Sequence, residues 1–506
     1  MAAEETRVDT RVDTRVDAPV DTDVEKNAAR QNVADNFPSS DSSDESGWSD
    51  NGGPDPTKFS KWRKLHIIIA GFTCTFNGNL GSSMPSGAID AISEQFGVTN
   101  HTHLVLLNSL YMVGYVLGPL LFAPMSEYIG RRPVLIGTFS GYIVFMLACS
   151  VAPNYAALLI FRMLCGINAA APTSIIGGLY ADILDDPSVR GNAIAFYMTV
   201  TTTGPLIGPI ISGFSSSMGW QWPFWIAAMI TVPGIPFVFT LPETYAPVLY
   251  NKAVRKSIKK SGGASDDQQV LHPFDVRKIF LRPVTLLFTE PILMFTSAYL
   301  TLAYAVLYLM FQAYPIVFQQ FYGLSAGMAS LAYIPMIVGS AAAFCTFLTF
   351  TWYRDRQAKR GKAWANNEIY RRLPLACIAS PCMVIGLFWL GWTVWESVPP
   401  VVAMLGSGFF FCVGVQLLFM GMVNYLTDVF RQSSASAHAA ASWTRSVGAI
   451  LLPLAAEPMY SNLGLHWTPS VLGFLALIMG VIPFAFIRYG DRLARSSKTA
   501  KAAYGI

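Results

Sequence analysis

LVLLNSLYMVGYVLGPLLFAPMSEYIGRRPVLIGTFSGYIVFMLACSVA, residues 104–152, is the stretch that decides the fold. Its charged residues are Glu127, Arg131 and Arg132, crowded into one turn, with long apolar runs on either side. A helix that crosses a bilayer needs about 20 mainly apolar residues. In lipid each backbone N–H and C=O must be satisfied within the structure, so such runs are helices. Two spanning helices joined by a short basic turn are the reading here.

The same pattern recurs along the chain and gives twelve spans, near 65–88, 104–126, 133–152, 155–180, 191–214, 221–241, 291–317, 325–350, 372–394, 398–426, 436–459 and 468–488. Composition agrees. Only 13% of the residues are charged and 53% are hydrophobic, against about 25% charged in a soluble domain. The outer surface therefore meets lipid. The connections test the count. After spans 2, 4, 6, 8 and 10 come Arg131 and Arg132, then Arg190, a run from Lys252 to Arg282, a run from Arg354 to Arg372, and Arg431. Lys58, Lys61, Arg63 and Lys64 precede span 1, and Arg488, Arg492, Arg495, Lys498 and Lys501 follow span 12. The connections after the odd-numbered spans carry no Lys or Arg. Positive charge gathers on the cytoplasmic side, so this alternation predicts twelve spans with both termini cytoplasmic.

Residues 1–57 read as a disordered cytoplasmic tail. They hold Thr-Arg-Val-Asp at 6–9, 10–13 and 14–17 and a Ser/Asp/Glu-rich run from Ser39 to Asp50, too polar to offset the entropy of ordering. No early apolar core marks a signal peptide. A six-helix half over 58–241 and another over 291–488 flank a long linker, 242–290. That linker is basic, and its residues 274–288 alternate apolar and basic positions as an interfacial helix does. A tail, 489–506, closes the chain. The first external loop contains the sequon Asn100-His101-Thr102, which makes Asn100 a glycosylation acceptor. The seven cysteines sit in apolar segments without metal spacing and read as packing residues. The six histidines are dispersed, and there is no phosphate loop or Ser/His/Asp set. No enzyme, cofactor, metal or nucleic-acid partner is expected.

The turn at the end of span 2 carries mechanism as well as topology. Gly118 allows close helix approach, Glu127 caps the inner end of span 2, and Gly130 makes the tight turn. Arg131 and Arg132 reach Glu127 and the inner end of span 4, where Asp182 lies. Such a cluster holds one state and breaks when the cytoplasmic side opens; on the plainer reading the arginines only set orientation. After span 8 the corresponding turn keeps only Arg354, Asp355 and Arg356, a degraded second copy. Arg162 lies inside span 4, where a charge costs at least about 2.5–3.5 kcal/mol, so it either faces a central cavity or snorkels outward. Span 5 holds two Gly-Pro pairs in Gly204, Pro205, Gly208, Pro209 and Gly213, which kink the helix and permit close packing.

Candidate substrate-binding residues are Asn77 and Asn79 in span 1, Arg162 in span 4, Gln416 in span 10 and Arg445 in span 11. Span 7 adds Thr301, Tyr304, Tyr308 and Gln312 on one helical face. That stripe suits a flat amphipathic ligand, or else packs helices together. Proton coupling requires a carboxylate whose pKa moves with burial and neighbouring charge. The middle of spans 1–6 has none, and the candidates are peripheral: Asp90, Glu290 and Glu457. Each also fits a structural ion pair or helix end.

Taken together these motifs resemble a known family. The turn from Gly118 to Pro133 resembles the major facilitator signature G-x-L-a-D-r-x-G-R-[KR], with Glu127 in place of Asp. Arg162 to Gly166 resembles an R-x-x-q-G element with Cys165 in place of Gln. Gly204 to Gly213 resembles the G-P-x-x-G-G element of exporters, with Ser212 departing from its closing pair. Leu241-Pro242-Glu243-Thr244, Glu290-Pro291-Ile292, Arg445-Ser446, Gly448-Ala449, Pro458-Met459-Tyr460 and Leu463-Gly464 complete the set. Over 58–495 the chain resembles the fungal twelve-span drug:proton antiporters of the major facilitator superfamily. The resemblance implies an all-α membrane fold in two six-helix halves, rocking to export a drug, toxin, polyamine or secondary metabolite across the plasma membrane in exchange for protons. Import or facilitated passage by the same fold stays open, as does a non-transporting sensor. The expected partners are the lipid bilayer, a small-molecule substrate and protons, for a monomeric chain.

Overall fold

The computed structural model describes residues 55–184, 186–250, 252, 284–366, 368–430 and 434–496. The expected N-terminal tail up to residue 54, most of the linker and the last ten residues lie outside the described residues. Among the described residues there is helix and no strand.

Among the described residues, ten helices are long and apolar enough to cross a membrane: α2 (Thr102–Ile129), α3 (Arg131–Ser150), α4 (Tyr155–Tyr180), α5 (Val189–Met218), α6 (Trp222–Phe239), α7 (Pro291–Phe321), α8 (Ala326–Lys359), α9 (Arg372–Thr393), α10 (Pro400–Phe430) and α12 (Ala456–Gly490). Two more have the length but not the apolarity, α1 (Lys61–Ser83) and α11 (Ser434–Leu454). Their polar residues explain both the lower hydropathy and the position. Thr75, Asn77, Asn79, Ser82 and Ser83 of α1 are buried. The helix packs along α5, and α11 packs between α2 and α7. Polar groups at membrane depth face protein rather than lipid. Outward faces are apolar instead: Val144, Ile160, Phe214, Leu451 and Ile478 are all exposed, as lipid contact requires.

Within the helices before the linker, α1 packs on α5, α2 and α3 both pack on α4, and α3 packs on α6. Within those after it, α9 and α8 pack on α10, α7 on α11, and α9 on α12. The two groups meet along α2 with α11 and along α5 with α8 and α10. Ser109 donates to the Ile450 carbonyl at 3.5 Å across the first seam. Thr203 and Ser340 share a hydrogen bond of 3.1 Å across the second.

Small residues set these spacings. A Cβ on Gly166 of α4 would stand 2.2 Å from the Tyr111 carbonyl of α2, and one on Gly114 would stand 2.4 Å from Ile167 N. Backbones this close are how membrane helices associate without a hydrophobic drive. Two boundaries move from the sequence reading. α1 stops at Ser83 because Pro85 turns the chain into a short 3-10 segment, Met84–Gly87. α12 breaks at Gly464, whose φ of +80° separates a short first piece from the rest, so the stretch after the break corresponds to the expected span 468–488 while the expected span 436–459 is cut short at Leu454.

Candidate functional site

Three groups of residues stand out, and the first is the turn between α2 and α3. Gly130 takes φ +104°, a region closed to most side chains, and the turn it makes aims the first N–H groups of α3 at one carboxylate. That carboxylate is Glu243, arriving just after α6. Arg131 N donates to Glu243 Oε1 at 3.0 Å and Arg132 N donates to Oε2 at 3.2 Å. Thr244 N and Tyr245 N each donate to Oε1 at 3.1 Å. An acid at a helix N-terminus satisfies orphan donors and meets the positive end of the dipole. A Cβ on Gly130 would lie 2.4 Å from Glu243 Oε2, so glycine is required for the cap as well as the turn. The Arg131 side chain goes elsewhere: Nε donates to Asp182 Oδ2 at 2.6 Å, and the guanidinium lies 5.2 Å from the Tyr245 ring centroid. Burial pushes the Asp182 carboxyl up from its ordinary range, and Arg131 pulls it partly back.

Of the contacts expected at this turn, the structure forms the one between Arg131 and Asp182. Glu127 is exposed and lies within electrostatic reach of Arg131, while Glu243 holds the turn. Arg132 is exposed and points to the Phe239 carbonyl at 3.5 Å. Gly118 sits where a Cβ would lie 2.6 Å from the Ile167 carbonyl, the close approach the sequence implied.

The second copy is less degraded than its sequence suggests. Arg354 pairs with its own neighbour Asp355. Arg372, at the start of α9, donates from Nε to Asp428 Oδ2 near the end of α10 at 3.2 Å. Six helices earlier, Arg131 at the start of α3 meets Asp182 just past α4 in the same way. The sequence hid this because the partner acid lies 56 residues away from its arginine. A Cβ on Gly191, near the start of α5, would lie 3.1 Å from Arg372 Nη2, so the second pair abuts the helices of the first half.

The second group is the kinked α5. Pro209 has no N–H to donate to the Pro205 carbonyl one turn back. Ser83 of α1 supplies the missing bond, donating from Oγ at 2.5 Å. It reaches in over Gly208, where a Cβ would stand 2.3 Å from that Oγ, and Gly204 likewise leaves 3.0 Å to Asn79 Cβ. Ser212 accepts from Gly87 N at 3.0 Å, so its departure from the family's Gly is used as a link to the end of α1. Gly213 lets the Ala326 carbonyl at the start of α8 come within 2.8 Å of a Cβ position.

The third group lies where helices from both sides of the linker converge. Tyr308 shares a 2.8 Å hydrogen bond with Ser82 of α1 and receives one of 3.4 Å from Tyr304. Arg445 of α11 stacks its guanidinium 5.6 Å from the Tyr304 ring centroid and 5.1 Å from Phe419 of α10. Tyr197 of α5 lies within electrostatic reach of Arg445 and Tyr304. Gln416 donates to Thr199 Oγ1 at 3.3 Å, tying α10 to α5. Asn79 Oδ1, Tyr115 OH, Gln312 Nε2, Gln416 Oε1 and Arg445 Nε are buried atoms without a hydrogen-bond partner. Buried polar atoms are nearly all bonded in folded proteins, and these five come from five helices, α1, α2, α7, α10 and α11. Beside them runs a groove of about 580 Å³ between α7 and α11, lined by Thr301, Thr444, Leu451 and other mainly apolar residues.

Not every expected binding residue points there. Arg162 is fully buried and its donors are spent on backbone: Nε to the Leu107 carbonyl at 3.0 Å, Nη1 to Gly81 at 2.6 Å and Nη2 to Ser82 at 2.9 Å. Its guanidinium also covers the Tyr111 ring at 4.4 Å. Gly81 needs this donor because residue 85, four ahead, is a proline. Asn77 and Asn79 turn their amide groups back onto the Thr73 and Thr75 carbonyls of their own helix. Asp90 and Glu457 are exposed, and Glu290 is buried at the start of α7. Asn100 is exposed and caps α2, accepting from Thr102 N at 2.9 Å. Tyr115, Tyr197, Thr199 and Phe419 escaped the sequence reading, since an isolated aromatic or hydroxyl in an apolar run has no signature. Glu243 had one, the Pro-Glu-Thr motif, but its role did not show.

Comparison with known proteins accounts for this architecture. The chain is 34% identical over 454 residues, 88% of its length and 76% of the other, to a protein of Gibberella moniliformis named efflux pump FUB11. It is 34% identical over 458 residues, 88% and 89% of the two lengths, to the citrinin biosynthesis cluster MFS transporter mrr1 of Monascus ruber. Among solved structures, the proton:xylose symporter XylE superposes with a TM-score of 0.60 at 14% identity, covering 85% of this chain and 97% of that one. Its fold alone is shared. Residues 71–417, which carry the charged turn, the kinked α5 and most of the central cluster, match the family profile itself, and the chain belongs to the Major Facilitator Superfamily.

Proposed function

We propose that this chain exports a small amphipathic organic compound, a toxin, secondary metabolite or drug, across the plasma membrane in exchange for protons. The observation that carries the reading is the central cluster of Ser82, Tyr304, Tyr308, Gln416, Phe419 and Arg445, drawn from helices on both sides of the linker, with Gln416 Oε1 and Arg445 Nε buried and unpartnered. A ligand held there is gripped by both six-helix halves, 58–241 and 291–488, and their rocking exposes it to one side and then the other. α1 and α11 complete twelve spans, and the basic loops favour cytoplasmic termini. The export direction is supported by the names of the relatives, an efflux pump and a biosynthesis-cluster transporter. The Arg131–Asp182 pair and its neighbour Glu127 serve as a cytoplasmic latch. Glu290, the buried member of the three peripheral acids, is the first candidate for proton coupling.

The test is accumulation. Cells that lack the protein are expected to retain more substrate than cells that express it, and a protonophore is expected to remove the difference. Lower retention in the lacking cells would make the protein an importer; a difference that survives the protonophore would remove the proton exchange.

A further inference from the structure

Among the described residues two arginines, Arg162 and Arg445, stand at membrane depth, and they have opposite fates. Arg162 is consumed by three carbonyls and a ring. Arg445, the twelfth residue of the 21 in α11, has aromatic rings on two sides and a buried Nε with no partner. It has no carboxylate partner among the described residues. The acids of the described helices lie toward or beyond the ends of the spans: Glu127, Asp182, Asp355 and Asp428 toward C-terminal ends, Asp186, Glu290, Glu368 and Glu457 at or before starts, Asp491 just past α12, and Asp90 and Glu94 in the short helix after α1. None is placed to neutralise a charge in the middle. Cations at membrane depth pair with an opposite charge or with backbone carbonyls. Among the described residues Arg445 meets neither.

We propose that the missing counter-charge is the substrate, and that the central cluster binds an amphipathic organic monoanion with its charged head on the Arg445 guanidinium. This rests on the central cluster being the transport site. One unpaired guanidinium matches one negative charge. The flanking Tyr304, Phe419 and Tyr197 offer rings to a flat body, and Tyr308 and Gln416 add hydrogen-bonding groups to its edge. A carboxylate takes two parallel N–H bonds from a guanidinium, which an amide or an ammonium group does not.

Three probes that share a ring system and differ in charge decide it: 1-naphthylacetate, 1-naphthylacetamide and 1-naphthylmethylammonium, each titrated into the full-length protein in lipid nanodiscs. Thermal stabilisation reads binding. The anion is expected to bind at least tenfold tighter than the amide and the ammonium to bind weakest. Arg445→Gln removes the preference, Arg445→Lys keeps part of it, and Arg162→Lys lowers the melting temperature without changing it. The proposal is overturned if the anion does not bind, if amide or ammonium binds as well as it does, or if Arg445→Gln keeps the preference. Should Arg445→Gln not fold, the wild-type order and Arg445→Lys decide. Selective anion binding in a protein whose loss lowers cellular retention would leave this inference standing and sink export; efflux of neutral and cationic probes without anion preference would do the reverse.

Discussion

A single side chain in a low-dielectric interior is judged by what its charge or dipole meets. Arg162 meets the Leu107, Gly81 and Ser82 carbonyls, and each orphaned by its removal costs about 1–3 kcal/mol. Arg162→Met is therefore expected to lower the melting temperature sharply and to cut the yield of monodisperse protein, as size-exclusion of detergent extracts would show; an unchanged melting profile contradicts the clamp. Asp182 gives a dependence on pH. Its carboxyl is raised by burial despite Arg131, so the folded state holds that proton more tightly than the unfolded chain does. The sign follows from linkage: stability falls as pH rises from the ordinary carboxylate value through the raised one, then levels. Asp182→Asn is expected to flatten that part of the curve, and thermal melts across the acidic range would show it. Arg162 as a membrane-depth charge was legible in the sequence, but its partners were not, because a carbonyl has no letter of its own.

Elements carry a different kind of information. The prolines of α5 could be read as kinks from the chain alone, and the glycines as close contacts. What filled the broken bond could not, because Ser83 lies 122 residues from Pro205. The sequence reading likewise set a span on each of the twelve long helices among the described residues, although α1 and α11 fall short in hydropathy, and it ran α1 past Ser83, where Pro85 acts through backbone geometry rather than polarity. The α1–α5 contact is testable as a unit. Gly208→Ala puts a Cβ 2.3 Å from Ser83 Oγ, an overpacking expected to cost about 1–3 kcal/mol. Ser83→Ala removes the clash but orphans the Pro205 carbonyl. The double variant is expected to be more stable than the sum of the two single losses, a coupling that a double-mutant cycle on thermal stability measures. Strict additivity would mean the two residues do not share a contact.

At the scale of the molecule one device recurs on both sides of the linker. Arg131 with Asp182, and Arg372 with Asp428, repeat one device six helices apart, and Gly191 brings the second pair against the helices of the first half. Both pairs join the start of one helix to the end of the next within a single half, and under the proposed function both would serve as latches on this side of the protein. A latch made of two equivalent bonds has a distinctive signature. Losing either pair shifts the balance between states by a coupling free energy, for which about 1–3 kcal/mol, or 5- to 150-fold, is typical. Without either pair the protein rests more in the state open on this side, so Asp182→Asn and Asp428→Asn are each expected to slow efflux by a factor in that range, with protein at the membrane unchanged. Since both bonds oppose the same opening, their effects on its free energy add, and the double variant is expected to lie near the product of the two factors. Initial efflux rates, normalised to surface protein, read this directly. A double variant no slower than either single one would show that the pairs act in series on one bond, and two single variants at full speed would reduce both pairs to anchors of the fold.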